Sequence, residues 1–154
     1  MFESRTRLAE DIKGLVGALR DVGNGRYACL LDRKAVLFDD AAPDQPGWAL
    51  RQFLEQRREA LFALPAAMAG EGPETDLFED WVEDDFFLAF VNGKVAVAVA
   101  CPDAEAMREP SQRLLKALSD RLFRYEPTYR LDSQGKGFFG GRAQLDVVVV
   151  ARAG

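Results

Sequence analysis

Histidine is absent from this 154-residue chain, and cysteine occurs only at Cys29 and Cys101. Without histidine there is no His-dependent triad, no His-ligated metal site and no use of the commonest general base. Two cysteines far apart in the chain build no zinc site. Lying in apolar, β-prone runs, they read as buried free thiols. The four serines, Ser4, Ser111, Ser119 and Ser133, sit in no G-x-S-x-G context. A long apolar run is also missing: the best candidate, residues 94–102, is far too short to span a bilayer, and no signal segment is visible at the start. Nor is there a basic tract. With a net charge of -5 the chain has no electrostatic footprint for nucleic acid or an anionic membrane. These absences remove the common enzyme templates. They set the expectation of a non-enzymatic cytoplasmic protein without cofactor or metal.

What is present is centred on residues 83–123. Phe86 to Val91 and Lys94 to Cys101 are apolar runs separated only by Asn92-Gly93, the strongest short-range hairpin signal. In the second run Val95, Val97, Val99 and Cys101 alternate with Ala96, Ala98 and Ala100. A period of two gives one bulky and one flat face, both apolar. Such a strand belongs inside a sheet covered on both sides, with a helix lying close over the alanines.

Around this hairpin the periodicity predicts an amphipathic helix over residues 4–22, carried by Leu8, Ile12, Leu15, Val16 and Leu19 and stopped by Gly23-Asn24-Gly25. Strands are predicted over 26–31 and 35–38 around a polar turn, and a second helix over 48–63, ended by Pro65 and Gly70. A third helix should begin near Glu109, with Pro110 in its first turn. Residues 77–82 alternate poorly and read as a third strand or a short helical turn. The remainder divides into an expected domain over 1–126 and a β-rich extension over 127–154 packed on it, with a strand over 145–151 closing a C-terminal hairpin.

Two stretches invite chemical readings. Gly135-Lys136-Gly137-Phe138-Phe139-Gly140 matches G-x-G-x-x-G, but a β-prone run follows where a dinucleotide fold needs a helix, and a hairpin loop is the better reading. Residues 71–85 hold eight carboxylates and no Lys or Arg. Carboxylates suit calcium or magnesium, yet the spacing matches no EF-hand loop, so a solvated acidic edge that discourages strand pairing is preferred.

The segments RYACLLDRKAVLFDD (26–40), DLFEDWVEDDFFLAFVNGKVAVAVACP (76–102) and LLKALSDRLF (114–123) make the chain resemble the Roadblock family, the dynein light chain relatives that include bacterial small-GTPase regulators. The likeness covers residues 8–125. In the first β turn, where members often have glycine, this chain has Asp32-Arg33-Lys34-Ala35. The resemblance implies an α+β fold of order α-β-β-α-β-β-β-α. Its five-stranded antiparallel sheet has the first and last helices on one face and the middle helix on the other, and residues 77–82 as the third, edge strand. It also implies a homodimer formed through that strand and the middle helix, which offers a platform to a Ras-like small GTPase.

The site expectations follow from there. Phe78 and Trp81, large apolar groups in an acidic stretch, are expected with Trp48 in the dimer interface. Arg51, Glu55, Arg58, Glu59 and Phe62 are expected on the exposed face of the middle helix, where an aromatic beside an arginine favours partner binding. A small-molecule sensory domain and an acidic secretion-chaperone-like dimer are the competing readings.

Overall fold

A computed structural model describes residues 4–41, 47–68, 84–125 and 145–150, with side chains omitted over 65–68. The element order is α1 (Arg5–Val22), β1 (Tyr27–Asp32), β2 (Val36–Ala41), α2 (Trp48–Gln56), α3 (Arg58–Met68), β3 (Asp85–Val91), β4 (Val95–Cys101), a 3-10 turn (Glu105–Met107), α4 (Gln112–Tyr125) and β5 (Leu145–Val150). The strands form one antiparallel sheet in the order β2-β1-β4-β3-β5. α1 and α4 cover one face; α2 and α3 cover the other.

The hairpin holds the centre, as the sequence requires. Asn92 and Gly93 adopt φ of 56° and 68°, the left-handed pair of a two-residue turn that matches strand twist, and Lys94 N–H closes it onto Val91 O at 3.0 Å. β4 lies between β1 and β3 and is buried along its length. Its valine face meets Ile12, Val16 and Leu19 of α1 and Leu115, Leu118 and Leu122 of α4. Its alanine face is matched from the side: Phe86, Leu88 and Phe90 of β3 stand opposite Ala100, Ala98 and Ala96, and Tyr27, Cys29 and Leu31 of β1 flank the same three alanines. Large side chains on both neighbours fill the room the alanines leave.

Local chemistry explains where elements begin and stop. Ser4 Oγ accepts the Arg7 N–H at 3.0 Å and caps α1. Asp32 Oδ1 accepts the N–H groups of Lys34 at 2.7 Å and Ala35 at 2.9 Å, so a carboxylate shapes the first β turn without glycine.

Three predicted boundaries are corrected. The single middle helix is two, broken at Arg57 (φ -112°), whose N–H turns to Leu54 O at 3.1 Å. Its guanidinium lies 3.9 Å from the Phe53 ring centroid and donates to Phe53 O at 3.2 Å, the carbonyl a continuous helix would have given to the Arg57 N–H. Pro65 does not end the helix: α3 continues to Met68. The last helix starts at Gln112 rather than near Glu109. Residues before it mix shorter turns, Arg108 N–H to Glu105 O and Gln112 N–H to Glu109 O, with one α-type bond, Ser111 N–H to Met107 O at 3.0 Å, and Leu115 N–H to Ser111 O at 2.9 Å opens the helix proper. The expected strand at 77–82 lies outside the described residues. The fifth strand of the described sheet is β5, which pairs with β3 over six residues from Phe86↔Val150 to Val91↔Leu145.

Candidate functional site

The surface of interest is the outer side of α2 and α3. Both helices bury one stripe: Leu50, Phe53 and Leu54 from the first, Leu61, Phe62 and Leu64 from the second. The opposite side presents Trp48, Ala49, Gln52, Gln56, Glu59 and Ala60 to solvent. Trp48 is 64% exposed, an unusual setting for an indole on a folded surface.

One correction changes the composition of this face. Phe62 is not on it: only 6% exposed, its ring packs edge-on against Phe90 at 5.7 Å, and the Arg33 guanidinium covers it at 5.0 Å. Phe62 is thus buried beside Leu61. Arg58 sits at the same end, its Nε donating to Arg33 O at 3.4 Å. Glu59 is exposed. Phe78, Trp81 and the Gly135–Gly141 loop lie outside the described residues.

Arg51 and Glu55 are held in a network. Arg51 Nε donates to Glu55 Oε1 at 2.9 Å, and its Nη1 lies 3.5 Å from Asp39 Oδ2. Tyr27 Oη donates to the same Asp39 oxygen at 3.3 Å. The hydrogen bond to Glu55 and the charge of Asp39 hold Arg51 protonated. Asp39 thus ties β2 to α2. Its neighbour Asp40 ties β2 to α1 on the other face, 3.2 Å from Arg20, which also donates to Ala41 O at 2.7 Å. Sequence reasoning missed Asp39 and Asp40 because both sit beyond the predicted end of β2. Their alternation at the end of a strand was the available signal, since adjacent residues there point to opposite faces.

The rest of the acidic run is structural where it is described. Asp84 pairs with Arg26, and Asp85 Oδ2 accepts the Ala104 N–H at 3.2 Å; the two residues are 8% and 9% exposed. Among the described residues no group of three metal-ligating side chains forms. Burial pushes both Cys29 and Cys101 up to about 12, and also raises the Tyr27 phenol, so these groups stay protonated and weakly nucleophilic at neutral pH. No described helix is long and apolar enough to cross a membrane. The face presents an exposed indole, ion-paired charges and small side chains on a two-helix layer.

An antiparallel five-stranded sheet between a terminal helix pair and a middle helical layer is the Roadblock/longin fold. Three solved structures of MglB share it. A structure described as MglB with tetrameric arrangement is 18% identical, covers 81% of this chain and 95% of its own, and gives a TM-score of 0.55. MglB of Myxococcus xanthus is 13% identical, with 87% and 98% coverage and a TM-score of 0.50. The gliding protein MglB of Thermus thermophilus is 16% identical, with 79% and 93% coverage and a TM-score of 0.51. The sequence matches no protein-family model and no curated protein.

Proposed function

We propose that this chain is a non-enzymatic regulator or scaffold that works as a homodimer and engages a Ras-like small GTPase through the outer face of α2 and α3. The observation that carries the reading is Trp48, 64% exposed beside the ion-paired Arg51 on a fold shared with MglB. Arg51, Glu55, Arg58 and Glu59 supply oriented charge. Trp48 takes the aromatic role that Phe62, being buried, does not fill. An exposed aromatic flanked by arginine is the composition interface hot spots favour.

Trp48 also stands in the expected contact between copies, together with Phe78 and Trp81. One variant separates the two roles. If Trp48 anchors the GTPase, Trp48→Ala leaves sedimentation unchanged and weakens binding to a GTP-analogue-loaded Ras-like GTPase from the same organism by about tenfold or more. A change in sedimentation alone assigns Trp48 to the dimer. Unchanged sedimentation with unchanged GTPase affinity removes Trp48 from both roles and moves the partner surface off the start of α2.

A further inference from the structure

We propose that the turn between β1 and β2 extends the partner surface of α2 and α3, and that the segment it meets on the GTPase is acidic. The inference rests on the platform reading above and names the chemistry of the contact.

The turn presents two cations from a fixed frame. Asp32 Oδ1 accepts the N–H groups of Lys34 and Ala35, so the chain reverses without glycine, and the turn carries Arg33 and Lys34, both exposed. It is also docked on the helical layer. Arg33 O accepts from Arg58 Nε at 3.4 Å, and the Arg33 guanidinium lies 5.0 Å from the ring centroid of Phe62. The neighbouring turn adds Lys94, likewise exposed, because β1 and β4 pair Asp32 with Val95. Arg33, Lys34, Arg58 and Lys94 therefore gather where α3 begins.

Among the described residues the nearby acid does not balance them. The Asp32 carboxylate holds the turn, and Glu59 is exposed on α3. Asp146 stands on β5, beyond β4 and β3, roughly 14 Å across the sheet from β1. The other end of the layer is neutralised, since Glu55 and Asp39 share Arg51. On a chain of net charge -5, a cationic patch at one end of the layer gives an approaching partner an orientation as well as a contact. Its size favours a protein. A bilayer or a nucleic acid presents a broad plane of negative charge, which would also face the acidic remainder of the chain. A segment with a few carboxylates meets the patch alone, and the planar guanidinium groups match carboxylates in shape.

The test is the affinity for a GTP-analogue-loaded Ras-like GTPase from the same organism, measured at low and high salt. Wild-type affinity is expected to fall as salt rises. Arg33→Glu combined with Lys34→Glu is expected to weaken binding about tenfold or more at low salt and to flatten the salt dependence. Trp48→Ala weakens binding but keeps that dependence. The matched reversal Arg113→Glu with Lys116→Glu, on the exposed side of α4, is expected to change neither. Because Arg33 also covers Phe62, Lys34→Glu alone reads the same effect at smaller size should the double variant melt lower. Full affinity in the turn variants, or an equal loss in the α4 variant, overturns the inference; a continued loss in Trp48→Ala then leaves the platform reading standing. A wild-type chain that binds the GTPase at neither salt overturns both. Phosphatidylserine vesicles that sediment the wild type but not the turn variants, with GTPase affinity intact in both, also overturn it and assign the patch to a membrane.

Discussion

Phe53, Phe62, Phe86 and Phe90 fill the layer beneath α2 and α3, paired as Phe53 on Phe86 (5.9 Å, stacked) and Phe62 on Phe90 (5.7 Å, edge-on). Arg57 and Arg33 close over the two helical members from outside. Truncating one of these rings leaves a cavity that rigid strands cannot collapse into. Phe62→Ala is therefore expected to cost about 3–5 kcal/mol in denaturant unfolding, whereas Trp48→Ala should stay within about 0.5 kcal/mol because its ring is exposed. Equal costs would mean that the two aromatics do not differ in burial as described. The thiols give a second expectation at this scale. Burial raises Cys29 and Cys101 from 9.0 to about 12, so the folded state keeps protons that the unfolded chain releases. Their contribution is complete below pH 9 and is lost as pH climbs toward 12, by up to about 1.4 kcal/mol per pH unit for each thiol. The thiol reagent DTNB should leave both untouched in the native protein at about pH 8 and react with both after unfolding. Rapid native reaction would contradict their burial.

The secondary elements were largely legible because their signals are local. The hairpin at Asn92-Gly93, the valine–alanine alternation of β4 and the Gly23-Asn24-Gly25 stop after α1 each depend on a few neighbouring residues. The same kind of reading failed at Arg57. No glycine or proline marks that break; it arises because a guanidinium replaces a backbone N–H at Phe53 O. That substitution depends on Phe53 already being packed on Phe86, a tertiary fact that periodicity cannot carry. Phe62 was misplaced on the surface because the contact that buries it, with Phe90 of β3, is likewise tertiary. The site was thus half readable: the helical layer and its charged residues were found, the buried aromatic was not separated from the exposed one, and the Asp39 tether was missed. Two variants probe the elements. Val97→Asp sets a charge into a fully buried strand position between β1 and β3, and cooperative folding should be lost. Gly93→Ala forces an L side chain to φ 68° and should cost about 1–2 kcal/mol with the core unchanged, since the space around Gly93 is open. A larger loss would place something other than backbone strain at that turn.

For the whole molecule, β5 connects the end of the chain to its centre. It lies against β3, whose Phe86, Phe87, Leu88 and Phe90 are all buried. A chain ending after Tyr125 loses that partner and opens an apolar edge, so it should aggregate or melt well below the full-length protein by light scattering and calorimetry. A soluble truncation with unchanged melting would show that β5 is dispensable to the sheet. The functional account asks something different of the molecule: that the helical layer, rather than the sheet edge, meets the GTPase. The most direct test is hydrogen exchange of the full-length protein with and without a GTP-analogue-loaded Ras-like GTPase from the same organism. Slowed exchange is expected over residues 48–59, on the exposed side of α2 and the start of α3, and lost in an Arg58→Glu, Trp48→Ala double variant of unchanged melting temperature. Protection confined to α1 and α4, or no protection by the loaded GTPase, would contradict the account.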